Sequence, residues 1–218
     1  MRFSIAVALG MLGYAGWVAY KNNQDAAAVG DPLAASVDSS ISSAVNTAAN
    51  FIDYATGGIL KLSNMRNVTA ADLANKNVQA FLHVIRTGEG TNDATGYRRI
   101  FGGQLFSSFA DHPRISVTKN GYTSTAAGAY QALSSTWDET AKIMGLHDFS
   151  PASQDWFAVG RIAARGALQD VEAGRFTIAI QKVAQEWASL PGSPYGQPTI
   201  SMSKAQQVFA ANGGSIYA

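Results

Sequence analysis

Apolar residues arrive in three regimes along the chain. Residues 3 to 20, "FSIAVALGMLGYAGWVAY", carry no charge and follow Met1 and Arg2 directly. That length approaches the ~20 residues needed to span a bilayer and exceeds the roughly 7 to 15 of a signal-peptide core, so the pattern predicts a retained membrane anchor over residues 1–21. A cleavable signal is the alternative, with Ala26 and Ala28 in "DAAAVG" at small-x-small spacing. From 22 to 66 the composition shifts to Ala, Ser, Asn, Asp and Thr, as in a linker or stalk. Within it Ile41, Val45, Ala48, Ile52, Ala55 and Ile59 recur at spacings of four and three, on one face of a helix. This makes 38–60 a candidate seam for assembly partners.

The third regime, 67–218, reads as a packed domain. Thr69 with Asp72 three residues on is a variant capping box, and Val78, Phe81, Leu82 and Ile85 then form one apolar stripe that Gly88 ends. Further helices are expected around 132–144, 153–172 and 177–189. The region between Tyr97 and Tyr122 is irregular and has room for a short hairpin. The expected fold is mainly α with a small β element.

Composition narrows the chemistry. Of 218 residues 47% are hydrophobic and 14% charged, with a net charge of +1, so no global basic field favours nucleic acid as a partner. The absence of cysteine excludes disulfides, thiolate metal sites and a cysteine nucleophile. His112 and His147 lie in separate segments without metal-ligand spacing, so no zinc site is expected, and "FGGQLF" lacks the P-loop pattern and its lysine. No cofactor is implied.

One carboxylate stands out. Glu89 follows the glycine that ends the stripe, where the helix dipole disfavours negative charge. A carboxyl there, at the rim of an apolar cleft, would have the raised pKa a general acid needs at neutral pH; the alternative is a solvated loop residue.

The segments "AFLHVIRTGEGT", "GYRRIFGGQLF", "DHPR", "STAAGAYQ", "DFSPASQD", "RGAL" and "WASLPGSPYGQ" occur in an order and spacing that resemble the lambda-phage endolysin family of lysozyme-like lytic transglycosylases. The resemblance runs from 75 to 214, about two-thirds of the chain. It implies an α+β lysozyme-like fold, with helices around a substrate groove and a small β hairpin region, here preceded by the N-terminal transmembrane helix. It implies Glu89 as the single catalytic acid, with Gly128, Tyr130, Gln131 and Tyr195 as substrate-binding groove residues and Trp187 as a core anchor. One departure is Arg98, where relatives carry an acidic residue after "GY".

The chemistry so implied is cleavage of the β-1,4 bond between N-acetylmuramic acid and N-acetylglucosamine with formation of a 1,6-anhydro ring. The partners would be a peptidoglycan glycan strand and, through residues 3–20, the membrane, with the catalytic domain in the periplasm. A virion-associated enzyme that opens the wall locally during genome entry is the favoured setting; a lysis enzyme released from its anchor is the alternative. A hydrolytic muramidase would add a second carboxylate, for which Asp93 and Asp111 are the candidates. Asp93 sits in the polar turn "TNDATG", and Asp111 is alternatively a partner for Arg114. From a different class, a non-catalytic ejection component would keep the fold without needing the acid.

Overall fold

The computed structural model describes residues 63–119 and 121–217. The predicted membrane segment 3–20 and the apolar seam from Ile41 to Ile59 lie outside the described residues. Among the described residues no helix is long and apolar enough to cross a membrane. The domain's packing already includes the helical turn at 63–66: Met65 is buried, and the Asn64 amide donates to the Ala163 carbonyl at 3.3 Å.

Thr69 caps α1 (Ala70–Ala74) through the reciprocal box with Asp72. The single run predicted from Thr69 to Gly88 is broken, however, at Asn75. Its ψ of 131° is extended, its N–H closes α1 on the Asp72 carbonyl, and its side-chain oxygen accepts from the Asn77 and Val78 N–H groups. A short polar side chain that satisfies the free N–H groups of a new helix ends one helix and starts the next. The new helix, α2 (Lys76–Gly88), buries Val78, Ala80, Phe81, Leu82, Val84 and Ile85. Each large side chain on that stripe contributes on the order of 1.5–3 kcal/mol through burial. Phe81 meets Phe176 and Phe209 edge-on, at 5.8 and 6.3 Å between ring centroids, so α2 sits at the centre of the helical core.

Residues 97–124 supply the β element. The hairpin β1 (Val117–Lys119) and β2 (Tyr122–Ser124) pairs antiparallel, with Thr118 opposite Thr123. Single bridges Arg99 to Leu105, Ile100 to Ala127 and Ala127 to Ala132 tie the preceding loop to the turn at 128–131. Next, α3 (Ser134–Met144) ends on Gly145 at φ +69°, and α4 (Pro151–Ala164) starts behind Ser150, with proline in its first turn.

The helix predicted over 153–172 is two helices, because Gly166 turns the chain at φ +64° before α5 (Leu168–Glu172). The run predicted from 177 to 189 ends early: α6 (Phe176–Val183) gives way to turns that carry Trp187 and Leu190 into the core. A last helix, α7 (Met202–Ala211), escaped the apolar pattern because only Ala205, Val208 and Phe209 of its ten residues are buried. The fold is helix-rich with one small antiparallel sheet among the described residues.

Candidate active site

Glu89 is the C-cap of α2, and its N–H donates to the Ile85 carbonyl at 2.9 Å. The residue keeps partial exposure, but protein surrounds its carboxyl group. Burial pushes the carboxyl pKa up to about 7, partly offset by one hydrogen bond. That bond comes from the Ser189 hydroxyl, which donates to Glu89 Oε1 at 2.6 Å across a separation of 100 residues. Desolvation, then, more than the field of the helix end, keeps Glu89 protonatable at neutral pH.

The neighbouring backbone is built to hold this contact. A Cβ on Gly88 would lie 2.5 Å from Ser189 Oγ, so only glycine at 88 leaves room for the serine. The Ser189 carbonyl accepts from the Ile200 N–H at 2.9 Å, and two residues earlier the Trp187 indole N–H donates to the Tyr130 carbonyl at 3.2 Å. Trp187 is buried in the core.

On the other side of Glu89, fully buried Thr91 donates its hydroxyl to the Ala129 carbonyl, joining the loop after the acid to the 128–131 turn. Arg99 clamps the same loop: its guanidinium reaches the Gly90 carbonyl, the Thr95 hydroxyl at 2.8 Å and the Asp93 carboxylate at 2.8 Å. The Arg99 carbonyl in turn accepts from the Gly128 N–H and from the Gln131 amide.

The residues expected to line a groove thus fall into different surroundings. Gly128 has φ +78°, and a Cβ on it would strike Gln154 Oε1 at 2.3 Å, so its role here is close packing beneath the turn. Gln131 is half-buried at φ +46°, with its amide spent on the Arg99 and Gly128 carbonyls. Tyr130 is 2% exposed, and its hydroxyl donates to Asp155 Oδ1 at 2.6 Å. Tyr97 donates to the same oxygen at 2.8 Å and lies under the Arg86 guanidinium. Burial raises the pKa of Asp155 despite these two donors. Tyr195 is half-buried and donates to the Gln185 carbonyl at 2.8 Å; no hydrogen bond links it to Glu89.

Neither candidate second carboxylate is uncommitted. Asp93 accepts from the Thr95 N–H and hydroxyl and pairs with Arg99; those Thr95 bonds come first in holding its pKa down to about 2. Asp111 pairs with Arg114, which also grips Asp138 at 2.7 Å. Arg98 stacks on Phe109 at 4.1 Å and donates to the Ser107 carbonyl, bracing the loop ahead of the hairpin. His112 is buried: its Nδ1 accepts from the Arg114 N–H and its Nε2 bonds the Ala132 carbonyl, a structural role with both ring nitrogens occupied. Among the described residues no group of acidic and histidine side chains could hold a metal ion.

Sequence reasoning missed Ser189 and Gln154 as parts of this site. Ser189 lay in the quoted "WASLP" segment, but nothing local to it points at a residue 100 positions away. Gln154 is fully buried, accepts from the Ala129 N–H and donates to the Tyr97 and Phe149 carbonyls. A glutamine within an otherwise apolar helix face was its one signal.

Comparison with known proteins agrees with this architecture. The family model described as Endolysin matches residues 79–216. The endolysin of Escherichia phage lambda is 42% identical over 149 residues, 65% of this chain and 94% of the relative. The endolysin of Escherichia phage P2 is 38% identical over 155 residues, 64% of this chain and 94% of the relative. Among solved structures, bacteriophage lambda lysozyme complexed with a chitohexasaccharide is similar at a TM-score of 0.63 and 40% identity, over 66% of this chain and 97% of that one. A second structure of the lysozyme from bacteriophage lambda gives a TM-score of 0.59, also at 40% identity. With the family matched over most of its length and a lysozyme-like fold, the chain belongs to the endolysin family and is a peptidoglycan-degrading enzyme.

Proposed function

We propose that the chain is a membrane-anchored lytic transglycosylase that cuts the N-acetylmuramic acid to N-acetylglucosamine bond of peptidoglycan, with Glu89 as the catalytic residue. The observation that carries this reading is the enclosed carboxyl of Glu89, whose pKa burial pushes up to about 7, while Asp93 and Asp111 are both committed to arginines. The similar lambda lysozyme structure is a complex with a chitohexasaccharide, which supports a β-1,4-linked glycan as the substrate class here.

In this reaction Glu89 gives its proton to the glycosidic oxygen as the C1–O bond breaks, and positive charge develops at the anomeric carbon. The carboxylate left behind then takes the proton of the muramic acid C6 hydroxyl. That oxygen closes on C1, forming the 1,6-anhydro ring and returning Glu89 to its acid form. A pKa near 7 suits both steps, because the group must release and recover a proton at the same pH.

Residues 3–20 would hold the enzyme in the membrane with the catalytic domain on the periplasmic side. Arg2 ahead of the apolar segment favours that orientation, although Lys21 reduces the asymmetry. A stalk of this length suits an enzyme that opens the wall locally as part of a virion or ejection apparatus, with the seam at 38–60 as its assembly surface.

The test is digestion of purified peptidoglycan by the full-length chain in mild detergent beside a Glu89→Gln control, with products analysed by mass spectrometry. Anhydro-muropeptides, lighter by one water than hydrolytic products and absent with the control, are expected. Reducing-end products would overturn the transglycosylase assignment and reopen the search for a second carboxylate.

A further inference from the structure

Glu89 has two carboxyl oxygens in different surroundings. Oε1 accepts from the Ser189 hydroxyl at 2.6 Å. Oε2 makes no hydrogen bond among the described residues. An oxygen that already accepts a strong hydrogen bond is the poorer site for a proton, so the acidic proton belongs on Oε2.

Resting on the transglycosylase reading above, we propose that Ser189 is a positioning residue that fixes the reactive proton on Oε2 of Glu89, and that Gly88 is glycine in order to admit it. Three observations carry the assignment. Ser189 Oγ occupies the space a Cβ on residue 88 would fill, at 2.5 Å from where that atom would stand. The serine backbone is pinned by Ile200, and its segment is anchored by the Trp187 indole on the Tyr130 carbonyl. Among the described residues the hydroxyl makes no other hydrogen bond, and its single donor is spent on the acid.

A one-carboxyl mechanism gives this contact two consequences. While Glu89 is protonated, the bond to Oε1 orients the O–H on Oε2 toward the glycosidic oxygen. Once the proton has left, the same bond stabilises the carboxylate, which lowers the barrier to donation and moderates its strength as a base. Removing the hydroxyl would leave the acid in place, harder to ionise and free to rotate.

The experiment is a pH profile of kcat/KM for the full-length chain on purified peptidoglycan, comparing wild type with Ser189→Ala, Ser189→Thr and Gly88→Ala. Glu89 acts first as an acid, so the alkaline limb follows its pKa. Losing a stabilising donor raises that pKa and moves the limb upward, by about one pH unit for a hydrogen bond to a charged group. Ser189→Ala should show this shift together with a kcat lowered about 100-fold, the scale of a misplaced catalytic group. Ser189→Thr keeps a hydroxyl and should restore the wild-type limb. Gly88→Ala, which displaces the serine without removing it, should reproduce the Ser189→Ala shift, and combining the two should add little more.

A Ser189→Ala variant that folds and keeps the wild-type limb would overturn the proposal, whatever its rate, since a merely structural serine moves no pKa. Should Ser189→Ala not fold, Gly88→Ala decides the question by the same limb. Should Glu89→Gln retain wild-type cutting, the failure lies in the catalytic reading beneath this one, and the two failures are distinguishable.

Discussion

Replacing Glu89 with glutamine should stabilise the protein while it abolishes cutting. The Glu89 carboxyl ionises near pH 7 in the folded chain, against 4.5 for an unperturbed glutamate. The folded state therefore holds the proton more tightly than the unfolded state. Its contribution to stability is fully present below 4.5 and is lost as pH rises through about 7. A gap of about 2.5 pH units at about 1.4 kcal/mol per unit sets an upper bound of about 3.5 kcal/mol, and the residue's partial exposure brings the expected loss toward about 2 kcal/mol. Glutamine matches the shape of the neutral acid, can accept from Ser189 through its amide oxygen, and has no charge to desolvate. Urea unfolding of both proteins, full length and in the same detergent, at intervals from pH 4.5 to 8, reads the difference as a change in midpoint at constant slope. The wild type should lose about 2 kcal/mol relative to the variant across that window, then run parallel to it above pH 8. A difference that stays flat within about 0.5 kcal/mol over the whole range would mean that Glu89 is not desolvated as the structure places it, and the acid role would lose its electrostatic basis.

Two further outcomes follow from the surroundings of the site. Gln154→Leu preserves bulk but strips partners from the Ala129 N–H and from the Phe149 and Tyr97 carbonyls. At about 1–3 kcal/mol for each buried polar group left unpaired, relaxation should leave a net loss of about 3–5 kcal/mol in the urea midpoint; a loss below about 1 kcal/mol would contradict the network. Asp93→Asn leaves an exposed turn and one ion pair altered and no reacting group removed. Its release of muropeptides should stay within about threefold of wild type, whereas abolished cutting would make Asp93 the second carboxylate of a hydrolase.

The helical character of the domain was legible in the chain. Periodicity located the stripe of α2, the Thr69 box located the start of α1, and Gly88 marked the end of the run, because these signals act over one or two turns of backbone. The breaks were harder to read. Asn75 and Gly166 interrupt helices through single polar or left-handed positions that an apolar count passes over, and α7 is anchored by only three buried residues. Motif order singled out Glu89, since the residue type and its place after a helix end are one-dimensional facts. What makes it an acid is not one-dimensional. Its pKa near 7 arises from desolvation, partly offset by the hydrogen bond of a serine 100 residues away that fits only because residue 88 has no side chain. Tyr130 and Gln131 illustrate the same divide: sequence could propose them as groove residues, but whether a hydroxyl or an amide is free for a ligand depends on Asp155, Arg99 and Gly128 already standing in front of it. Sequence determined which residues could do this chemistry; only the tertiary structure, by excluding water and spending or sparing each hydrogen bond, decided which of them can.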